Sequence, residues 1–329
     1  MRKTILLSAL LIILSVFSIE AQKKKNMKNI NPLLCNPIDG TCETPQNDKS
    51  SSNSFINEKH KKPIKVIYFT DPICSSCWAI EAQLRKMKLE YGNLLDIEYH
   101  MGGLLPDWSY NSSGISKPSD VAKHWDEVSI YYDMPIDGDV WLSDPLNSSY
   151  PPSIAFKAAQ MQDDNNAILF LRKLREFVFL DKKNITKWEY IQEAAIAADL
   201  DTSKLKNDYE SAAKYLFEND LQLGKALEVR GFPTMIFKNE YEQNELIYGA
   251  KPYTDYTKAI HKLLPEAKKQ SYDNKWENLF HFFESLTAKE FSELSNIDRK
   301  HAEQKLNQLT EEGYLMKKNI KNGSIWYVK

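Results

Sequence analysis

Hydrophobic and polar positions change rhythm several times along the chain, and each change marks a boundary. Ile64, Val66, Ile67, Tyr68 and Phe69 form the β-branched and aromatic run of a buried strand, which Asp71-Pro72 breaks. From 78 to 91 the apolar residues Ile80, Leu84, Met87 and Leu89 predict a helix, and 95–101 reads as a second strand. Strand, helix, strand is a βαβ opening. Between Ser119 and Arg230 helical periodicity prevails, with helices expected at 121–132, 153–161, 167–179, 186–198 and 205–229. Trp125, Phe156, Phe170, Leu174, Phe177, Trp188, Tyr215 and Leu223 read as their core faces; an aromatic stripe at this spacing is packing rather than a cofactor box. Sheet character returns at 234–238 and 245–248, a hairpin around 239–244, ahead of a helix over 253–268. Beyond Lys269 the pattern predicts helices at 276–285, 288–295 and 298–312, then strands at 314–318 and 324–328 joined through Asn322-Gly323, a strong hairpin signal.

The first residues follow neither rhythm. Arg2 and Lys3 precede an apolar run from Ile5 to Phe17 and then Ser18-Ile19-Glu20-Ala21-Gln22. This is the layout of a secretory signal peptide, 1–21, cut near Ala21, although Ile19 stands where a small residue is preferred. The alternative is an uncleaved anchor, for which the run is short of the roughly 20 residues of a spanning helix. The expectation is an exported, periplasmic protein with no membrane contact beyond the export signal. Residues 22–62 are polar and read as a flexible tether. Inside it, Cys35 and Cys42 flank Asp39-Gly40, a turn that would bring the two cysteines together. With 329 residues, 42% of them hydrophobic, the chain has room for one sizeable core and a smaller module, and its net charge of −2 argues against a polyanionic partner.

The chemistry concentrates in Cys74-Ser75-Ser76-Cys77, placed where a strand ends and a helix begins. A cysteine at a helix N-terminus meets unpaired N–H groups and the positive end of the helix dipole, which favour its thiolate, and the second cysteine one turn on can close a disulfide. A thiol-redox site is the reading preferred over an inert bridge or half of a zinc site, since a zinc ribbon needs a second such pair and the other two cysteines are differently spaced. For Cys35 and Cys42 three roles stand open: a local structural bridge, a relay that exchanges with Cys74 and Cys77, or metal binding. The six histidines show no ligand spacing, and Gly102-Gly103 lacks the Lys-Ser/Thr of a phosphate cradle. No metal site and no cofactor are expected.

Arg230-Gly231-Phe232-Pro233-Thr234, directly before a strand, completes a pattern. The chain resembles the DsbA-like branch of the thioredoxin superfamily, and within it the FrnE-like group and the relatives of the ClpXP adaptor SpxH. The residues that carry the likeness are 71–78, His100-Met101-Gly102-Gly103-Leu104-Leu105-Pro106, Tyr150-Pro151-Pro152-Ser153 and Gly231-Phe232-Pro233-Thr234. The resemblance implies an α/β, thioredoxin-like domain over 63–269 with a helical insertion at about 110–230. It implies Cys74 as the attacking thiolate, Cys77 as the resolving thiol, and Phe232, cis Pro233 and Trp78 as substrate-binding residues. The expected function is thiol-disulfide oxidoreductase on exported proteins, with cysteine-containing clients and a redox partner protein. The rivals are a client-holding adaptor, against which an export signal argues, and a glutathione-dependent isomerase of small molecules, which has no need of Cys77. Ser75 and Ser76 bring no positive charge of the kind a His supplies at that place in DsbA, and Asp71, if close, raises the Cys74 pKa, so a less oxidising site is expected. The last residues, 270–329, resemble a winged helix. They carry as many Asp and Glu as Lys and Arg, nine of each, so protein contact or packing is expected rather than nucleic acid, despite a basic subset at Lys317, Lys318 and Lys321.

Overall fold

The computed structural model describes residues 35–36, 41–43, 62–109 and 117–329. The leader expected at 1–21, the Asp39-Gly40 turn and most of the tether lie outside the described residues. Strands β1 (Cys35–Asn36) and β2 (Thr41–Glu43) run antiparallel, with Cys35 in register with Cys42.

The β-branched run forms β3 (Ile64–Thr70), and both faces of it are covered: Ile64, Val66, Tyr68 and Phe69 have no exposed surface. It is the centre of a four-stranded sheet. On one side it pairs in parallel with β4 (Leu95–Met101), as a βαβ unit requires, and on the other antiparallel with β6 (Thr234–Asn239), which pairs with β7 (Asn244–Tyr248). The connecting helix is two pieces rather than the single one expected, α1 (Ser75–Ala79) and α2 (Glu81–Tyr91), meeting at Ile80.

Between β4 and the two-residue β5 (Gly231–Phe232) lie the helices α3 (Pro118–Tyr132), α4 (Val140–Ser143), α5 (Tyr150–Gln160), α6 (Asp164–Leu180), α7 (Trp188–Ala197), α8 (Thr202–Glu210) and α9 (Ala212–Ala226). The α/β class and the helical insertion are therefore as expected. The helix expected over 205–229 is broken at Ser211, whose φ of −126° and ψ of −104° leave the helical region and whose hydroxyl bonds back to the Asn207 carbonyl at 2.6 Å. The core face of α9 is Ala213, Phe217, Asp220 and Gly224, so Tyr215, expected inside, lies on the opposite face and is 70% exposed. Helix α10 (Tyr253–Leu263) stops short of the expected 268 because Leu264 precedes Pro265 and takes an extended conformation.

The last sixty or so residues form α11 (Trp276–Phe282), β8 (Ser285–Thr287), α12 (Ala288–Ser295), α13 (Arg299–Glu311), β9 (Leu315–Ile320) and β10 (Gly323–Val328), with strand order β8-β10-β9. The first helix ends before the expected 285 because Leu286 pairs with Trp326 across β8 and β10. Thr287 and Glu290 close a reciprocal capping box that starts α12. This unit has its own core around Leu279, Phe291, Leu306 and Trp326, yet Ile325 is buried in the larger core of the sheet and helices.

Candidate functional site

Chain direction places the cysteine pair. β3 delivers the backbone to Asp71-Pro72-Ile73, and Cys74 becomes the N-cap of α1, with Cys77 one turn inside; the two are joined as a disulfide. The Cys77 N–H donates to Cys74 Sγ at 3.0 Å, so a backbone donor is already aimed at the sulfur that would carry charge after reduction. The Ser76 hydroxyl is paired with the Tyr132 hydroxyl at 3.0 Å. Trp78 anchors the helix in the core: its indole donates to the Pro135 carbonyl at 3.1 Å, and its ring stacks on Phe179 and lies under the Arg172 guanidinium.

Asp71 organises the loops around the pair. One carboxylate oxygen accepts from the Ile73 N–H at 3.0 Å; the other accepts from the Leu104 N–H at 2.8 Å and the Ser149 hydroxyl at 2.9 Å. The Ser149 hydroxyl in turn accepts from the Leu105 N–H at 3.0 Å. The Gly-Gly-Leu-Leu loop after β4 and the start of α5, separate motifs in the sequence, are thus tied to the residue that leads into Cys74. Burial pushes the Asp71 pKa up to about 6, against hydrogen bonds from Leu104, Ile73 and Ser149 and the charge of Arg175.

Phe232 and Pro233 are joined by a cis peptide bond. The Phe232 ring lies so close against Gly102 that a Cβ there would fall 1.7 Å from its tip, which explains a glycine in the His100-Met101-Gly102-Gly103 motif. Strand β5 pairs antiparallel with β2, Cys42 opposite Phe232 and Glu43 opposite Gly231. Of the residues expected in the site, Cys74, Cys77, Asp71, Ser75 and Ser76 have no exposed surface, nor does Trp78, and Phe232 is 1% exposed.

Sequence reasoning missed Ser149 and the charges of α6. Arg172 bonds both oxygens of Glu290, at 2.8 and 3.2 Å, and Glu176 at 2.8 Å; Arg175 reaches Thr70, Glu81 and the Asp71 carbonyl. The available signal was charge recurring within an apolar helix, but the partner of Arg172 lies far along the chain in α12. The basic residues of the last hairpin are paired at the surface: Lys318 with Asp181, Lys321 with Asp126 and Asp139 at 2.6 and 2.7 Å, and Lys317 bonds Asn307. Among the described residues no cluster of His, Cys, Asp and Glu is arranged to hold a metal ion, and no helix is long and apolar enough to cross a membrane.

Comparison with known proteins adds a frame to this geometry. The thioredoxin family model matches residues 68–258. The ClpXP adapter protein SpxH of Halalkalibacterium halodurans is 33% identical over 303 residues, covering 90% of this chain and 97% of its own. The ClpXP adapter protein SpxH of Bacillus subtilis is 28% identical over 272 residues, covering 81% of this chain and 89% of its own. Among solved structures, the cytosolic disulfide reductase DsbM from Pseudomonas aeruginosa superposes with a TM-score of 0.51 at 19% identity, over 62% of this chain and 100% of its own, a likeness of fold.

Proposed function

The chain belongs to the thioredoxin family, in the branch that holds the ClpXP adapter protein SpxH, and from that premise we propose that it is a thiol-disulfide exchange protein working through Cys74 and Cys77. The observation that carries the reading is the Cys74–Cys77 disulfide at a helix start, with the Cys77 N–H directed at the Cys74 sulfur. In the reducing direction the Cys74 thiolate attacks a client disulfide and forms a mixed disulfide; Cys77 then attacks Cys74, releasing the client dithiol and restoring the Cys74–Cys77 bridge. The client backbone extends beside Phe232, whose carbonyl is its partner, in the manner of an added strand. Its clients are exported proteins, as the Arg2-Lys3 start and the apolar run to Phe17 suggest.

A second reading is favoured by the SpxH relatives: an adapter that holds its client on this scaffold without turnover. One measurement separates the two. The potential of the Cys74–Cys77 couple is read in glutathione buffers, with Cys74→Ala as control. A reversible couple between about −120 and −270 mV supports exchange, whereas a pair that stays oxidised below about −300 mV behaves as a structural bridge and supports the adapter.

A further inference from the structure

The Cys35–Asn36 and Thr41–Glu43 strands are not scattered along a tether; they are docked on the exchange site. β2 is the middle strand of a three-stranded sheet in order β1-β2-β5, and its Cys42 stands opposite Phe232, the residue joined to Pro233. The same strand comes within 8 Å, Cα to Cα, of α1, the helix that holds Cys77. The backbone position beside Phe232 is therefore already taken by this chain's own cysteine-bearing segment. The register places Cys35 directly across from Cys42 in an antiparallel pair. Opposed Cα atoms in such a pair lie about 4.5–5.5 Å apart, inside the roughly 4.4–6.8 Å window of a disulfide. The backbone thus sets Cys35 and Cys42 opposite each other in the antiparallel pair whose second strand takes the place of a client beside Phe232, and Cys74, Cys77 and Phe232 are themselves fully or almost fully buried.

We propose that the Cys35/Cys42 hairpin is a resident client of the Cys74/Cys77 pair, a second redox couple that passes two electrons to or from it within one molecule. The inference rests on the exchange reading above. The Cys74 thiolate attacks a sulfur of the Cys35–Cys42 disulfide; that bond breaks, a Cys74 mixed disulfide forms and the other hairpin sulfur leaves as thiolate. The Cys77 thiolate then attacks Cys74 Sγ, and the remaining hairpin sulfur departs. The result is a Cys74–Cys77 disulfide and a reduced Cys35/Cys42 dithiol, the two protons lost by Cys74 and Cys77 being taken up by the departing thiolates. No external oxidant or reductant enters, and the reverse sequence is equally balanced. External clients or the redox partner meet the hairpin couple first, or displace it from the Gly231–Phe232 strand.

The test uses the full chain carrying Cys77→Ala, which removes the resolving thiol and holds the mixed disulfide. The protein is reduced, reoxidised in glutathione buffers, quenched with acid, alkylated and mapped by peptide mass spectrometry, alongside a sample given excess of a cysteine-containing peptide. The expected result is that most molecules link Cys74 to Cys35 or Cys42, as monomers, with a yield unchanged by tenfold dilution. If Cys74 instead traps the added peptide or glutathione while Cys35 and Cys42 bridge only each other, the relay is overturned and the exchange site stands. If Cys74 traps neither the hairpin nor the peptide, the relay and the exchange reading both fall. A Cys74 linkage found only in dimers also overturns the proposal.

Discussion

Gly102→Ala is a small change with a large expected effect, because the space for one methyl group is already filled. The added Cβ would lie 1.7, 2.1 and 2.5 Å from Cζ, Cε1 and Cε2 of Phe232. Carbon atoms rest at about 3.5–4.0 Å, so the ring must withdraw by about 2 Å. It has little room: Phe232 is 1% exposed, and its backbone is held between β2 and the sheet strand that begins at Thr234. Forcing a methyl into a packed core costs about 1–3 kcal/mol, and expelling the ring instead forfeits a similar amount of apolar burial, about 2–3 kcal/mol. Without the clash, glycine to alanine would stabilise by roughly 0.4–1 kcal/mol through the unfolded chain, so the sign of the effect tests the geometry. The assay is urea unfolding followed by tryptophan fluorescence, on Gly102→Ala, Phe232→Leu and the double variant. Leucine lacks all three of the offending atoms, so the double variant should recover at least 1 kcal/mol relative to the sum of the single changes. In a Cys77→Ala background, formation of the Cys74 mixed disulfide should slow in Gly102→Ala and recover partly in the double variant, since the Gly231–Phe232 strand moves with the ring. A Gly102→Ala protein as stable as the parent, or a cycle additive within about 0.5 kcal/mol, would refute the reasoning.

Arg172→Met should destabilise by about 3 kcal/mol, because it removes the guanidinium that bonds the buried carboxylates of Glu290 and Glu176 and leaves them the longer pairs to Arg85 at 3.2 Å and Lys173 at 3.6 Å; adding Glu290→Gln should restore part of that in the same urea assay. Asp71 titrates near pH 6 in the folded chain against an ordinary value of 3.8, so its contribution is complete below pH 3.8 and is lost as pH rises through 6. The stability of the parent relative to Asp71→Asn should therefore fall between pH 4 and 7 by up to about 3 kcal/mol, and a difference that stays flat would remove the charge argument. For His100, burial works against protonation, but the hydrogen bond to Asp220 at 2.7 Å and the Glu98 carboxylate 3.6 Å away outweigh it, so its imidazole titrates above the usual range. That contribution is present below the ordinary histidine value and is lost as pH rises through the folded pKa; in Asp220→Asn the ring resonances followed by NMR should titrate at lower pH.

Much of the fold was legible because it is written in short-range patterns. The run from Ile64 to Phe69 can satisfy its side chains only in a strand covered on both faces, and helix α12 runs over Ala288–Ser295 as expected because its cap and apolar face lie within eight residues. Where the reading erred, a contact or a local hydrogen bond outside the periodicity decided. Ser211 turns its hydroxyl back on Asn207 and splits a helix, and the pairing of Leu286 with Trp326 pulls Ser285 out of a helix and into a sheet.

The same division holds at the site. The sequence alone determined that Cys74 and Cys77 would share one helical turn at the end of a buried strand, since spacing, the Asp71-Pro72 break and helix periodicity are all local. It also marked Phe232-Pro233 and Gly102-Gly103 as motifs without saying what joined them. Only the tertiary structure decided that Asp71 would tie the Leu104 and Ser149 loops to the cysteine turn, that the Phe232 ring would fill the place of a Gly102 side chain, and that Cys42 would lie opposite Phe232. Each of these depends on two segments meeting across tens to hundreds of residues. Such meetings are chosen by the packing of the whole chain, and leave no periodicity in either segment to be read beforehand.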